Sequence, residues 1–584
     1  MCGIIAVLRR PSSREVPDLM KFNDLLDSIV NSLSLEDLIV LKKQVESLDF
    51  VNSQLKGLPG FLALFQNEGL VSEIEKNLER ISGFFSNLET PPVFSSDDVE
   101  TLNSFVTRIR DLVWSIKNDR IGSYRCVVDL VSKKFEPSSQ GFSVLLSTQQ
   151  ALSGLDRLEV RGRDSAGLQI LVWDHNLSDT EIPRDRLNDP LFRSGAIRKS
   201  SNGSLLFVYK IASEIGDLGD NTKSLRELIV QDDLLAKCLT GQKVKANVIG
   251  HTRWASVGLI SEPNAHPVES SSKDDSFVTI VQNGDIDNYA DLIASMELEI
   301  PNGITSDARV VPEIWNRNKK SGITTEESFA KTVRDFEGSV AIAGVDVSQP
   351  ENIFLAVKGS GQALYVGMAE DVYLVASEPY GLVELTNTYF RVDGEEMLSG
   401  STEKGQVVEL DIHSAGTLEG LVRKSYASEK IDLYEQDLSQ TEISTRDIDR
   451  GSYKHYLLKE IEESPSSVES TLRGRLVKDA DSGNFVVKLG NETISDELKL
   501  HLQSGKIKRI VVIGQGTAAV AGKAVANSIS TQLIETDISV KATPATELSA
   551  FDLSSDMSDT LIVAISQSGT TTDTNRTVEL VKAR

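Results

Sequence analysis

Met1-Cys-Gly-Ile-Ile-Ala-Val-Leu-Arg-Arg10 opens the chain, and residues 2–8 form an unbroken apolar run rich in aliphatic side chains. Such a run predicts a buried strand. A secretory signal puts positive charge first and apolar residues second. Here the order is reversed, so the start is expected to belong to the mature form of a cytoplasmic protein. The cysteine at position two adds chemistry. An initiator methionine is commonly removed before a small residue, which would leave one residue carrying both a thiol and a free α-amine. Their ordinary pKa values are about 8.5 and about 7.7–8.0. The amine is then a base poised near neutrality, able to take the thiol's proton directly or through a water. None of the six histidines is required for this step. Taken alone, Cys2 also reads as a small hydrophobe at the start of a buried strand.

Outward from this strand the character changes. Residues 18–33, 34–48, 70–88 and 96–117 carry leucine and isoleucine at three- and four-residue spacing, which predicts helices. Gly57–Gly60 and Pro91–Pro92 read as turns between them. Residues 11–141 are therefore expected to be a helical insertion. From 142 to 423 short β-branched runs (246–249, 277–282, 340–345, 353–357, 372–376) alternate with helical stretches (149–158, 308–316), which suits an α+β domain on antiparallel sheets. Residues 424–450 are polar and read as a linker. Beyond them, strand 510–513, a Gly-Gln-Gly turn, helix 517–530, strand 561–565 and loop 566–570 read as parallel α/β. A sheet of that type needs more strands, so the region 451–584 is expected to be part of a larger domain.

The 584 residues allow two to four domains, and the net charge of −25 repels phosphate backbones and anionic membranes. No Lys/Arg-rich run, no metal-ligand spacing of Cys and His, and no apolar run of about 18–20 residues occurs. Nucleic acid and membrane are excluded as expected partners. Cys2, Cys126 and Cys238 are too few and too odd for a disulfide framework.

Seven blocks then recur in order. They are Met1-Cys-Gly-Ile-Ile5, Arg161-Gly-Arg-Asp-Ser-Ala-Gly167, Gly250-His-Thr-Arg-Trp-Ala-Ser256, Asn264-Ala-His-Pro267, Gln282-Asn-Gly284 with Asp287-Asn-Tyr289, Thr305-Ser-Asp307 and Phe336-Glu-Gly-Ser339. Each is weak alone. Together, and in this order, they resemble the class II glutamine amidotransferase domain of the glutamine–fructose-6-phosphate aminotransferases (glucosamine-6-phosphate synthases). The resemblance implies Cys2 as nucleophile, with the Asn283 side chain and the Gly284 N–H as oxyanion donors. It implies Arg253, with Trp254 and Ser256, for the carboxylate of L-glutamine, and Asp307 for its ammonium. A guanidinium suits a carboxylate because it binds bidentately. Plainer readings stand beside these: Asn283-Gly284 as a hairpin turn, Asp307 as the cap of a following helix, Arg253 as a surface ion pair. His266 is expected to be structural or to position the glutamine loop. Val257 stands where the family usually has His, Arg163 where it has Tyr, and Ser256 where it has Thr.

Ser566-Gln-Ser-Gly-Thr-Thr571 follows an apolar strand and precedes a helix, a natural anion site. It resembles the phosphosugar loop of a sugar isomerase (SIS) domain. That implies Ser566, Gln567, Ser568 and Thr571 as phosphate binders and Gly516-Thr517 as a sugar-binding turn, with Ala518 replacing a customary Ser. The implied architecture is a four-layer αββα N-terminal-nucleophile glutaminase domain (1–10 and 142–423) carrying the insertion, followed by a partial flavodoxin-like α/β SIS domain. The implied activity is glutamine hydrolysis feeding ammonia to fructose 6-phosphate, with a homodimer as assembly and no metal or organic cofactor. The alternatives are another amidotransferase of the same nucleophile class, or a catalytically silent sugar-phosphate-binding protein.

Overall fold

The computed structural model describes the chain except residues 1, 36, 87–95, 188, 213–216, 272–276, 360, 396–403, 442, 473–475, 479–483, 488–494 and 567–570. Two compact units are present, Met1–Leu458 and Lys459–Arg584.

The first unit is built on two antiparallel sheets. In the nine-stranded sheet the order is Leu438–Gln440, Thr388–Asp393, Ala363–Ala369, Val372–Ala376, Gly3–Arg9, Lys245–Arg253, Ser165–Trp173, Leu205–Ala212 and Ile197–Lys199. The opening strand is thus central, pairing with Lys245–Arg253 on one side (Gly3 opposite Thr252) and Val372–Ala376 on the other. Its continuous apolar run has a physical reason, since both faces are covered. Ile4, Ala6 and Leu8 pack with Ala341, Ala343 and Leu355 of the second sheet. Ile5 and Val7 pack with Leu152, Leu155 and Leu158 of helix Ser139–Leu158. That helix begins where Ser138 accepts the Gly141 N–H at 2.9 Å, a side-chain cap that satisfies an otherwise orphaned donor. It lies close to the strand: a Cβ on Gly154 would stand 2.6 Å from Cδ1 of Ile5.

The seven-stranded sheet runs Lys430–Ile431, Leu421–Lys424, Gln406–Asp411, Asn352–Lys358, Gly338–Asp346, Val278–Ile286 and Val268–Glu269. Its outer face packs through Ile280, Ile342 and Ala356 on Val311, Trp315 and Phe329 of helices Val310–Lys319 and Thr325–Arg334. Helix, sheet, sheet and helix therefore stack as four layers.

Helices Leu19–Asn31, Leu38–Gln54, Gly57–Gln66, Glu68–Ser86, Ser96–Trp114 and Ser123–Asp129, with a π-helical stretch Ser115–Gly122, lie between the first strand and helix Ser139–Leu158. Their apolar residues, among them Leu26, Leu48, Ile74 and Ile109, join the cluster that holds Ile5 and Val7. Two expectations need correction. Gly57–Gly60 is not a turn but the start of a helix. Gly57 supplies a left-handed φ of +68° at its first residue, and Gly60 allows close approach, since a Cβ there would meet the Leu55 carbonyl at 2.2 Å. Residues 424–450, read as a linker, contribute edge strands Lys430–Ile431 and Leu438–Gln440, one to each sheet. Their polarity is that of edge strands, which face water on one side.

In the second unit, strand Arg509–Gly514 lies between Ser539–Pro544 and Thr560–Ala564, parallel to both. Val511, Ile513, Ala545 and Leu548 form its buried cluster. Among the described residues no helix is long and apolar enough to cross a membrane.

Candidate active site

The site is assembled at the ends of strands Gly3–Arg9, Lys245–Arg253 and Val278–Ile286. Register brings the N-terminus there: with Gly3 opposite Thr252, Cys2 lies beside the Arg253–Trp254 corner. The Trp254 backbone N–H donates to Sγ of Cys2 at 3.2 Å, and the thiol reaches the Trp254 carbonyl at 3.5 Å. Nδ2 of Asn283 donates to the Cys2 carbonyl at 3.0 Å. Burial pushes the Cys2 thiol up. The Trp254 N–H, the positive chain terminus and the Arg253 guanidinium oppose that rise, while Asp285 adds to it.

Asn283-Gly284 is not a hairpin turn. Both residues lie within strand Val278–Ile286, opposite Ala341 and Val340. Gly284 has φ +86°, and a Cβ there would stand 1.9 Å from the Ser339 carbonyl oxygen. Only glycine fits that combination. The positive φ falls on the residue after Asn283, while the pairing continues in register through Ile286.

Arg253 is 4% exposed, so it is no surface ion pair. Its guanidinium donates to the carbonyls of Val257 and of Leu259, the latter at 3.2 Å. It holds loop 254–259 down from beneath. Further bonds fix the same loop. Ala255 N–H donates to Asp164 at 2.8 Å, Ser256 Oγ to Asp285 at 2.6 Å, and Leu259 N–H to Thr305 Oγ1 at 2.9 Å. Trp254 leaves its indole 58% exposed.

Asp307 is buried. Its Oδ2 accepts from Gln282 Nε2 at 3.2 Å and from the Ile286 N–H at 3.0 Å. Ser306, not Asp307, precedes the short 3₁₀ turn Asp307–Arg309, so the capping reading is corrected. Burial raises its carboxyl pKa, while the Ile286 N–H opposes the rise. Asn264 ties the segment together, accepting N–H bonds from Thr305 at 2.7 Å and Ser306 at 3.1 Å.

Cys2, Trp254, Asn283 and Gly284 thus converge, with Arg253, Ser256 and Asp307 on the two segments flanking them. Asp164, Gln282, Asp285 and Thr305 were given no role from sequence, although each lies within or beside a quoted block. Their signal was position, but their partners are distant in sequence. The arrangement offers a thiol, neighbouring N–H donors and a buried carboxylate, a set that can supply a nucleophile, stabilise an anion and face a cation. Among the described residues no group of three or more His, Cys, Asp or Glu is placed to hold a metal ion.

In the second unit Gly516, with φ +58°, precedes helix Thr517–Gln532. Ser566 Oγ lies 3.3 Å from Thr571 Oγ1, the residue before helix Thr572–Lys582. Gln567 and Ser568 lie outside the described residues.

Residues 251–384 match the family described as glutamine amidotransferase domain. A protein of Shouchella clausii named glutamine–fructose-6-phosphate aminotransferase (isomerizing) is 27% identical over 433 residues, 74% of this chain and 57% of its own. One of the same name from Geobacillus kaustophilus is 28% identical over 425 residues, 72% of this chain and 56% of its own. The chain thus spans little more than half the length of these relatives. A solved structure of the Bacillus subtilis glutamine phosphoribosylpyrophosphate amidotransferase, complexed with ADP and GMP, aligns at a TM-score of 0.32 and 20% identity over 49% of this chain and 48% of that one.

Proposed function

We propose that this chain hydrolyses L-glutamine with Cys2 as nucleophile and that the ammonia serves the synthesis of glucosamine 6-phosphate from fructose 6-phosphate. The observation that carries the reading is the convergence on Cys2, with its thiol at the Trp254 N–H and its carbonyl at Asn283 Nδ2. After removal of Met1 the α-amine takes the thiol proton. Sγ attacks the side-chain amide carbon, and the negative oxygen faces Asn283 Nδ2 and the Gly284 N–H. Protonation of the nitrogen lets the C–N bond break, ammonia leaves, and a thioester is formed. Water attacks the thioester, the C–S bond breaks, and glutamate and the thiol are regenerated. Preorganised donors are worth about 2.7–4 kcal/mol each to such a step.

Asp307 receives the substrate's ammonium. Arg253 receives its carboxylate, exchanging its bonds to the loop carbonyls for a bidentate pair, while Trp254 and Ser256 line the same side. Residues 1–10 and 142–423, completed by the edge strands Lys430–Ile431 and Leu438–Gln440, make up the glutaminase domain, and 11–141 its insertion. Residues 451–584 are part of an SIS domain in which Ser566, Gln567, Ser568, Thr571, Gly516 and Thr517 hold the sugar phosphate. The names of the relatives and the four-layer architecture support the glutaminase part of this reading, the parallel strands of the second unit support the SIS part, and a homodimer belongs to the same proposal.

The test is glutamate release from glutamine by protein purified with its natural N-terminus. Cys2→Ala should abolish it, by at least about 10⁴-fold, as should an extension that blocks the α-amine. A processed, folded chain that releases no glutamate would sink the proposal in favour of a silent sugar-phosphate-binding protein.

A further inference from the structure

Two buried imidazoles lie directly behind Asn283. His251 and His266 stack with ring centroids 4.3 Å apart and planes 17° from parallel. His266 is tied to the strand from the side: its Nδ1 accepts the Gln282 N–H at 3.0 Å. His251 is aimed at Asn283. Its Nε2 lies 2.8 Å from the Gln282 carbonyl oxygen and 3.2 Å from Oδ1 of Asn283. Its Nδ1 is buried and has no hydrogen-bond partner among the described residues.

These contacts determine the tautomer. The Gln282 carbonyl can only accept, so Nε2 must carry the hydrogen. A second proton on Nδ1 would be buried without an acceptor, and burial holds the His251 imidazole down to about 3. The ring is therefore neutral, and Nε2 is a donor to both oxygens. The tautomer in turn orients the Asn283 amide. With Oδ1 toward Nε2–H the pair is donor to acceptor. With the amide flipped, Nδ2 would meet another N–H, which is repulsive. The unflipped amide sends Nδ2 to the Cys2 carbonyl at 3.0 Å and leaves its second hydrogen for the oxyanion.

We infer that His251 is a positioning residue that locks the Asn283 side-chain amide with its NH₂ toward Cys2, acting through Asn283 and not on substrate. The inference rests on the proposed glutamine hydrolysis. It adds a residue to that machinery which neither the motif reading nor the substrate contacts assigned. The chemistry it serves appears only when negative charge develops, so its loss should fall on kcat and spare KM.

The experiment is a double-mutant cycle on glutamate release, using the full chain with its natural N-terminus and L-glutamine as probe. His251→Phe keeps a ring to stack on His266 but has no donor. It should lower kcat about 10–100-fold with KM for glutamine within about threefold. His251→Gln, whose terminal amide can place an N–H near the position of Nε2, should recover most of the loss. In an Asn283→Ala background His251→Phe should cost less than about threefold further, because the group it orients is gone. Full additivity of the two losses, or an Asn283-independent fall in kcat, would overturn the positioning role while leaving glutamine hydrolysis standing. A wild-type chain with no activity would overturn the function and this inference together. Melting temperatures of all variants separate loss of fold from loss of rate: if His251→Phe melts as wild type and works as wild type, the inference fails.

Discussion

The candidate anion sites of the two units are built in opposite ways. In the first, the groups that would meet a developing oxyanion sit inside the protein. Asn283 is 3% exposed, two neutral histidines pack behind it, and three large apolar clusters enclose the two sheets. In the second, the candidate phosphate groups Ser566 and Thr571 are half-buried on a loop at the end of a parallel strand, above a cluster of four buried residues. A charge that exists only in passing is best met by dipoles already desolvated and fixed, since reorganising them during the reaction would raise the barrier. A permanent dianion arrives with its own shell and can be met at the surface by backbone N–H groups and hydroxyls. The first arrangement requires a large core to carry buried polar atoms. The second requires little more than a strand followed by a helix.

The largest test of this contrast is Gly284→Ala. The added methyl would sit 1.9 Å from the Ser339 carbonyl oxygen at a φ of +86°. Either the strand shifts and the Gly284 N–H is lost to the oxyanion, or the fold is destabilised. We expect kcat to fall about 10³-fold, roughly 4 kcal/mol, with the losses of strain added to those of a donor. A fall of less than threefold would mean that the left-handed conformation of Gly284 plays no part in the chemistry.

Next comes Lys210, which measures what the first unit tolerates inside its core. It is buried over the Phe192 ring at 4.8 Å. Burial depresses its ammonium to about 7, with Arg309 and Arg198 acting in the same direction and Glu269 and Glu262 opposing. Unfolding restores an ordinary lysine near 10.4. Between those values the unfolded state binds more protons, so stability contributed by this group rises as pH rises from about 7 to about 10 and is lost below. Lys210→Met removes that dependence. Its stability relative to wild type should therefore be greatest near pH 6 and should fall by about 4 kcal/mol on going to pH 10. Denaturant titrations at both pH values read it directly, and a constant difference would show that Lys210 titrates normally.

Much of this architecture was legible in advance, and the reasons are local. The run Gly3–Leu8 is apolar at every position because two layers cover it, and the blocks around Arg253, Asn283 and Asp307 set the candidate groups at short spacing. Other features depended on contacts between residues far apart in sequence. Asn283-Gly284 resembles a turn until Ser339 is seen against Gly284. Arg253 proves to be a support for the Val257 and Leu259 carbonyls as well as a candidate for substrate. Gly57 and Gly60 look like breakers until Gly57 is seen to start the helix at a left-handed φ and Leu55 to press on it at Gly60. His251 offered only its place in the block 250–256, because its meaning comes from the Gln282 carbonyl 31 residues away.

Asp307→Asn tests the permanent charge that the first unit does bury. The amide keeps the shape and can still accept from the Ile286 N–H, but the counter-charge for an ammonium is gone. KM for glutamine should rise about 10–100-fold, roughly 2 kcal/mol, with kcat little changed. The same carboxylate predicts an acid limb. Burial raises its pKa, so as pH falls it is protonated earlier than an ordinary aspartate, and glutamine affinity is lost from a higher pH. In Asp307→Asn that limb in kcat/KM should vanish.

The smallest effect belongs to the second unit, and its smallness is the point. Ser566→Ala removes one hydroxyl, 3.3 Å from that of Thr571, from the proposed phosphate site. A single hydrogen bond to a charged group in a partly solvated loop is worth about 1 kcal/mol. Fructose 6-phosphate should therefore bind about 3–10-fold more weakly, read as a smaller rise in melting temperature at a fixed sugar-phosphate concentration. Glutamate release should not change. Equal protection of wild type and Ser566→Ala would remove the hydroxyl from the site. No protection of wild type would remove the phosphosugar assignment of the unit. A loss of glutamate release on Ser566→Ala would contradict the division made above, since it would require a surface hydroxyl in one unit to do the work of the buried donors in the other.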